Sequence, residues 1–279
     1  MSQLIQMRQR INAIATIKKI THATRLIAMS AHTRLANREP IMAHYKDEVQ
    51  RLFGRLVDEE SLLALPLIQC TPTAPQALVI LVGSQKGFCG TFNGMLFRFL
   101  EHHFPTADRT TVFIAVGKKA QDYLAIQSAQ VLTSFNNLSS STIGSITDVM
   151  TETIIKQAPL YNKVVVVSNY PRSFFNQKPQ QTMLLPLQIP EQKVDLDAYS
   201  WAESKAALVQ TLSQLYIRAS VESLLLSSLA AEQAARFHSM DNATRNAQDL
   251  LDTMGRDYNK LRQTKITKEL IELSGSFQR

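Results

Sequence analysis

The residues best suited to chemistry form a glycine-rich loop, GSQKGFCGTFNG, at positions 83–94. A loop of this kind between a strand and a helix often binds nucleotide phosphates, because backbone N–H groups and the helix N-terminus attract anions. The spacing of Gly83, Gly87, Gly90 and Gly94 matches neither GxGxxG nor GxxxxGK followed by Ser or Thr. It favours a structural role, in which the glycines permit a backbone turn and close helix–strand packing. Phosphate binding is the alternative interpretation.

The other residue types that commonly catalyse reactions or bind metals are scattered along the chain. Six histidines carry no paired carboxylate at a recognisable spacing, which indicates solvated or packing positions. The two cysteines, Cys70 and Cys89, are too few and too far apart for a disulfide framework or a metal site. No Ser or Cys lies in a nucleophile motif such as GxSxG. The sequence therefore predicts no catalytic residue, no metal and no cofactor.

Positive charge is concentrated in the first 38 residues. They contain seven Lys and Arg and no Asp or Glu: Arg8, Arg10, Lys18, Lys19, Arg25, Arg34 and Arg38. The whole chain has a formal charge of +7. Such a face is either simply solvated or binds an acidic partner. Nucleic acid is disfavoured as that partner, because no aromatic residue for base stacking precedes Tyr45 and the pattern of turn residues typical of a helix-turn-helix motif is not present.

Two long helices must position these charges. Proline is absent from residues 1–39 and 191–279, so nothing in either stretch forces a helix to end. The C-terminal helix is expected to run from about Glu203 to Phe277, which is roughly 110 Å. Apolar residues recur in both stretches at spacings of three and four, which predicts one buried seam on each helix. Two helices at opposite ends of the chain, each with a single apolar seam, suggest an antiparallel coiled coil.

The predicted seams contain many Ala and Thr residues and few Leu, which is typical of close but modestly stable packing. The N-terminal seam comprises Leu4, Met7, Ile11, Ile14, Ile17, Ile20, Thr24, Ile27, Ala31 and Leu35, followed after Pro40 by Val49, Phe53 and Leu56. The C-terminal seam comprises Leu208, Leu212, Leu215, Ala219, Phe237, Met240, Ala243, Ala247, Leu250, Met254, Tyr258 and Leu261. A third surface is needed to complete the burial of such seams.

The middle of the chain alternates short β-rich runs with helical stretches. The runs ALVILV, TVFIAV and KVVVVS begin at residues 77, 111 and 163, and they predict an α/β layered, Rossmann-like domain with a largely parallel sheet. QQTMLLPLQIP adds an edge strand, since Pro186 would be poorly tolerated in a central one. Residues 61–76 are interpreted as a linker. The expected domains are therefore an N-terminal coiled-coil helix (1–60), an α/β domain (77–190) and a C-terminal coiled-coil helix (203–279).

The end segments also resemble a known family. The C-terminal run has the pattern Met-x-x-Ala-Thr-x-Asn-Ala at residues 240–247 and Arg-Gln-x-x-Ile-Thr-x-Glu-Leu-x-Glu at residues 262–272. These patterns resemble the closing helix of the γ subunit of F-type ATP synthases. MRQRI at 7–11 and KKITHATRLIA at 18–28 resemble that family's opening helix, and SQKGFCGTFN resembles its central turn. The chain departs from the usual pattern at Thr24 and Ala31, which is consistent with a divergent copy of the subunit.

The resemblance implies a non-catalytic rotor subunit. In that family the terminal helices form an antiparallel coiled coil inside a ring of three α and three β subunits, and the α/β domain lies outside it, against the ε subunit and the membrane c ring. Rotation couples ion flow through the c ring to nucleotide cycling in the β subunits. The implied partner contacts are Lys18, Lys19 and Arg25 on the first helix and Gln263, Thr267 and Glu272 on the last. The implied location is peripheral, on the cytoplasmic face of the bacterial plasma membrane, without nucleic acid and with only indirect membrane contact.

Two other functions are compatible with the residues alone. An α/β nucleotide-binding protein with a helical dimerisation arm would need a phosphate site, for which the glycine-rich loop is the best candidate. A basic coiled-coil scaffold that binds nucleic acid would show steeply salt-dependent affinity for a generic duplex.

Overall fold

The computed structural model describes residues 3–56, 70–71, 73–106, 110–187 and 205–276. The helices among these residues are α1 (Gln3–Ala36), α2 (Glu39–Leu56), α3 (Phe92–His103), α4 (Lys118–Ile126), α5 (Ile143–Gln157) and α6 (Lys205–Ser276), with a short 3-10 turn at Ala158–Leu160. The strands are β1 (Ala77–Val82), β2 (Thr111–Val116), β3 (Val131–Phe135), β4 (Val164–Ser173) and β5 (Asn176–Leu185). The chain divides into two compact units. Residues 30–235 are called the α/β unit, and residues 1–29 with 236–279 the coil unit.

The α/β unit is built on one five-stranded sheet of order β3-β2-β1-β4-β5. The first four strands in this order are parallel, and β5 joins β4 as an antiparallel hairpin. Every residue of β1 and β2 is buried, as expected for continuous apolar runs covered on both faces. The Rossmann-like prediction and its three parallel strands are confirmed. The edge strand is also confirmed, although it begins earlier, at Asn176.

Alternate residues of β1 define the two faces of the core. Leu78 and Ile80 belong to a cluster with the apolar sides of α5 and α6, whereas Val79 and Leu81 belong to a second cluster with α3 and α4. The period of two along each strand therefore sends successive side chains into opposite cores. Burying both faces in this way explains why β1 contains no polar residue.

Two glycines allow the ends of β1 and β2 to approach closely. A Cβ atom added at Gly83 would lie 2.9 Å from the backbone nitrogen of Ala120, at the start of α4. Gly117 has φ of +87°, and an added Cβ would lie 2.4 Å from the carbonyl oxygen of Gly83. Gly83 thus serves the close helix–strand packing that the sequence predicted for the glycine-rich loop.

The N-terminal helical region is interrupted once, at residues 37–38, where α1 ends and α2 begins. Pro40 lies in the first turn of α2, where a missing N–H costs nothing. The predicted apolar positions Leu35, Val49 and Phe53 are buried in the α/β unit. The Leu56 side chain and most of the predicted linker at 61–76 lie outside the described residues.

The coil unit is an antiparallel pair formed by α1 and α6. Lys18 contacts Gln248, Thr21 contacts Thr244, and Arg25 contacts Asp241. The residue numbers in each pair add to 265 or 266. Residue numbers therefore fall along α6 as they rise along α1, which means that the two helices run antiparallel. The predicted antiparallel coiled coil of the terminal helices is confirmed.

The seam of α1 differs from the predicted one after Ile14. Ile17, Ile20 and Ile27, which the apolar pattern placed in the seam, are 52%, 60% and 68% exposed. Strict alternation of three and four residues from Ile14 leads instead to a set whose members are buried or half-buried: Lys18, Thr21, Arg25 and Ala28. At these three isoleucines the prediction was wrong, because it followed hydrophobicity where polar pairs with α6 occupy the seam, whereas Thr24 and Ala31 are half-buried and Leu35 is buried.

The same one-residue error occurs on α6. Leu250 is 47% exposed, whereas its neighbour Leu251 is half-buried. Leu261 is also exposed. By contrast, Met240 and Ala247 are buried as predicted.

Candidate partner-binding surface on the terminal helices

The glycine-rich loop between β1 and α3 is closed by one amide side chain. The Ser84 backbone N–H donates to Oδ1 of Asn93 at 3.0 Å, and Nδ2 of Asn93 donates to the Ser84 hydroxyl at 2.7 Å. That hydroxyl donates to the Lys86 carbonyl at 2.9 Å, and Ser84 is fully buried. A bound phosphate would compete for these groups, so their use within the loop supports the structural interpretation of the glycines.

The histidines and cysteines occupy packing or solvent positions. His32 is half-buried and its ring centroid lies 4.8 Å from that of Phe174, edge to face. Burial raises the pKa of Cys70 to about 11, which keeps this thiol protonated and unreactive at neutral pH. Within the described ranges, no group of His, Cys, Asp and Glu is arranged to hold a metal ion.

Two of the predicted contact residues on α1 are engaged inside the coil. Lys18 is half-buried, and its ammonium donates to Oε1 of Gln248, whose Nε2 donates to Asp252 at 2.7 Å. Nη1 of Arg25 lies 2.5 Å from Oδ1 of Asp241. Lys19, by contrast, is exposed. Lys19 is therefore the outward cation of the three, and Lys18 and Arg25 already have partners on α6. Contacts of these residues with another protein stay predictions.

Asp241 is the carboxylate that pairs with cations from both helices. It is 8% exposed, and its two carboxylate oxygens accept hydrogen bonds from Arg25 and from Arg245. The hydrogen bond from Arg25, together with the positive charge of Arg245, holds the pKa of Asp241 below its ordinary value, and partial burial opposes this only in part. The carboxylate is thus fixed in its charged form at the centre of the coil.

We expect Asp241→Asn to destabilise the coil by about 1–3 kcal/mol at neutral pH, because it leaves the half-buried guanidinium of Arg25 without its charged acceptor. A depressed carboxyl pKa means that the unfolded chain binds more protons. Its stabilisation is therefore present above about pH 4 and is lost as the pH falls through the folded-state pKa. Thermal melting of the helical signal between pH 7 and pH 2 should show a weaker loss of stability in acid for the variant than for the wild type.

The matched control for this measurement is Glu152→Gln. Glu152 also pairs with a cation, Lys156, at 2.6 Å, but both side chains are about two-thirds exposed, so solvent screens the pair. Melting curves of Asp241→Asn that run parallel to those of the wild type at every pH would contradict the assigned role of Asp241.

The three predicted contacts on α6 lie near its end, but they do not share one face of the helix. Gln263, Thr267 and Glu272 are all exposed. Gln263 and Thr267 are about one turn apart on one face, whereas Glu272 lies on the opposite side of the helix from Gln263, because successive residues are about 100° apart. The Thr267 hydroxyl donates to the Gln263 carbonyl at 3.0 Å, which leaves its oxygen available as an acceptor. The structure therefore brings Gln263 and Thr267 together and places Glu272 apart from them.

This end of α6 extends past the start of α1. From the pairing of the three contacts, the first described residue of α1, Gln3, lies opposite about residue 262 of α6. Every residue from 261 to 273 is exposed, and these include the large apolar side chains Ile266, Leu270 and Leu273. Some 20 Å of helix, at about 1.5 Å per residue, thus runs beyond the paired segment. We call residues 263–276 the α6 tip.

Sequence reasoning missed the residues of α6 that pair with α1, namely Asp241, Thr244 and Gln248. The signal that would have identified them is the strict three–four spacing from Met240 to Ala247, which places Thr244 in the seam. Once Thr21 and Thr244 are opposed, the antiparallel register assigns the other two pairs.

None of the helices among the described residues is both long enough and apolar enough to cross a membrane. The family model described as ATP synthase matches residues 3–278. The ATP synthase gamma chain of Chlorobium luteolum is 30% identical over 286 residues, covering 99% of this chain and 98% of that protein. The ATP synthase gamma chain of Rhodospirillum rubrum is 29% identical over 292 residues, with 98% of each chain covered.

Solved structures share the fold. A chain of the mitochondrial ATP synthase of Euglena gracilis, in a structure of OSCP, F1 and the c ring, superposes with a TM-score of 0.72 at 17% identity, covering 99% of this chain and 93% of that one. A chain of the central stalk and c ring of Tetrahymena thermophila gives a TM-score of 0.55 at 21% identity, covering 80% and 99%. Both superpositions thus show a fold like that of this chain. With nearly its whole length matched by both the family model and curated relatives, this chain belongs to the ATP synthase gamma chain family.

Proposed function

We propose that the chain is the non-catalytic central shaft of an F-type ATP synthase, around which three α and three β subunits assemble. The observation that carries this proposal is the α6 tip, a helix end that continues past α1 with every described side chain from 263 to 273 exposed. A helix in water gains little from intrinsic propensity and depends on tertiary burial. A surrounding ring supplies that burial, and rotation of the asymmetric shaft within it presents different faces to each β subunit.

The exposed isoleucines of α1 support the same arrangement. Ile17, Ile20 and Ile27 are each more than half exposed on one side of the helix, and aligned exposed apolar side chains mark interaction surfaces. They lie on the coil unit, the part of the chain that would stand inside the ring. Contact with the ring would bury them and complete the packing that the polar seam leaves weak.

Individual contacts can be assigned within this proposal. Lys19, exposed on α1, meets acidic loops of the ring, and Gln263, Thr267 and Glu272 provide polar contacts at its upper end. Lys18 and Arg25 act chiefly through their pairs on α6, so their effect on the partner is through the shape of the coil. The exposed stretch around Lys19 contains no carboxylate on α1, which favours an acidic surface opposite it.

The α/β unit is proposed to lie outside the ring, against the ε subunit and the membrane c ring. Ion flow through the c ring turns the shaft, and the chain itself makes and breaks no bonds. The location that follows is peripheral, on the cytoplasmic face of a bacterial plasma membrane, with membrane contact only through partners.

The test is native mass spectrometry of the chain co-expressed with α and β subunits from the same source, followed by an ATPase assay of the isolated complex. A 3:3:1 assembly with ATPase activity is the expected result. A chain that stays alone or pairs only with itself would overturn the proposal. In that case titration with nucleotide and with a generic duplex would distinguish the dimeric nucleotide-binding protein from the nucleic-acid scaffold.

A further inference from the structure

Two stripes on α1 are candidates for packing against α6. They are offset by a single residue. The observed seam consists of Lys18, Thr21, Arg25 and Ala28, and the neighbouring stripe consists of Ile17, Ile20, Thr24 and Ile27.

The neighbouring stripe is the more apolar of the two. It offers three isoleucines where the observed seam offers two cations, a hydroxyl and one methyl group. The hydrophobic effect, which is proportional to the apolar area buried, therefore favours the stripe that the structure leaves exposed. A rotation of α1 by about 100°, the angle between successive residues of a helix, would exchange them.

The residues of α6 explain why this exchange does not occur. Asp241 and Thr244 are each 8% exposed and point into the seam. Opposite Arg25 and Thr21 their polar atoms are paired, at 2.5 and 2.9 Å. After the rotation Ile20 would take the place of Thr21, and Thr24 that of Arg25. Thr244 would keep its hydrogen bond to the Met240 carbonyl, and Asp241 its bond from Arg245. The Asp241 oxygen that Arg25 contacts would nevertheless lose its charged donor, which is costly for a buried carboxylate.

We propose that the Arg25–Asp241 pair, supported by Thr21–Thr244 and Lys18–Gln248, selects which face of α1 packs on α6 against a more hydrophobic competitor. One polar position can likewise fix register and pairing in other coiled coils, at a cost in stability. The consequence is that the isoleucine stripe stays outward, free for another protein. This inference concerns α1 and α6 alone and holds whether or not the chain is a rotor shaft.

Disulfide trapping in the full-length chain reports the face directly. Thr21→Cys with Thr244→Cys joins the helices in the observed orientation, and Ile20→Cys with Thr244→Cys joins them only after α1 has rotated. Cys70 and Cys89 are buried and stay in place, because mass spectrometry of tryptic peptides identifies each disulfide. In the otherwise unchanged chain, we expect the first disulfide to form with at least tenfold higher yield than the second.

Arg25→Glu tests the selection, since it opposes two carboxylates in the seam while keeping a charged side chain at this position. We expect the ratio of the two disulfide yields to fall at least tenfold. Exchanging the charges, as Arg25→Glu with Asp241→Arg and Arg245→Glu, should restore the original ratio. Glu152→Lys, a charge reversal in the exposed Lys156 pair of α5, is the control and should leave the ratio unchanged.

Three outcomes would overturn the proposal. One is an unchanged ratio in Arg25→Glu, which would show that the pair does not select the face. Another is failure of the exchange variant to restore the ratio while its helical circular dichroism stays at the wild-type level. The third is loss of both disulfides in Arg25→Glu, which would mean that the coil opens and that the isoleucine stripe is no competitor.

Discussion

Replacement of Gly117 by alanine is expected to destabilise the α/β unit by about 3 kcal/mol or more, one of the larger effects available from a single methyl group. Two costs add together. The backbone at Gly117 has φ of +87°, which L-residues rarely adopt, and the new Cβ would lie 2.4 Å from the Gly83 carbonyl oxygen. The clash is with backbone at the ends of β1 and β2, so no side chain can move to relieve it.

Hydrogen exchange of the β1 and β2 amides is the appropriate measurement, because it reports the opening of this sheet separately from the coil. Gly144→Ala is the matched control. An added Cβ there meets nothing within 4 Å, and the residue lies in the first turn of α5, where alanine is favourable by up to about 1 kcal/mol. Equal protection of the sheet amides in the two variants would contradict the close approach of Gly83 and Gly117.

Removal of the α6 tip is expected to reduce ATP synthesis by the reassembled complex several-fold. Deleting residues 264–279 removes Thr267 and Glu272 together with the exposed apolar side chains. It leaves the paired part of the coil intact, because α1 starts opposite about residue 262. The loss follows from the contacts proposed between the tip and the ring, which would otherwise bury that apolar surface at roughly 25 cal/mol per Å².

A chain that ends at Leu273 is the control for this deletion, since it keeps Gln263, Thr267 and Glu272. It should retain most of the activity. Sheet-amide protection in both truncated chains should match the wild type, because neither deletion touches residues 30–235. Full ATP synthesis by the chain lacking 264–279 would argue against an essential role for the tip.

The central strands could be predicted from sequence because burial on both faces of the sheet restricts them mainly to apolar residues. ALVILV and TVFIAV are covered on both faces, so every position except Thr111 is apolar and the run itself marks the strand. Strand β3, VLTSF, was not predicted. It lies at the sheet edge with Val131 and Leu132 more than a third exposed, and five residues of mixed polarity have no periodicity that sets them apart from a loop.

The coil shows a different limit of sequence reasoning. Periodicity of three and four correctly predicted helices and an antiparallel pair, but the strongest apolar positions, Ile17, Ile20 and Ile27, are not the buried ones. The choice of face depends on Arg25 and Asp241, which are 216 residues apart. This pairing depends on the tertiary structure, because the residues around each partner do not indicate which residue it pairs with.

The predicted contact residues on α6 came from family resemblance, and no local pattern distinguishes them. Gln263, Thr267 and Glu272 lie on an exposed part of a helix, yet many exposed helices have similar residues. What the structure adds is their position beyond the end of α1, where a partner is the available source of burial.

The number of residues between α1 and the part of α6 that pairs with it also constrains the order in which the chain folds. Contacts between α1 and α6 span from 216 to 230 residues, and such distant contacts form late, since closing a long loop costs entropy before any contact rewards it. During synthesis from the N-terminus, the α/β unit is complete in sequence at Ala235 before Asp241 and Gln248 emerge. The first helix made is thus the last to find its partner, and its isoleucine stripe is exposed throughout translation. Newly made chains should therefore depend on chaperones, or on rapid capture by other subunits, to avoid aggregation.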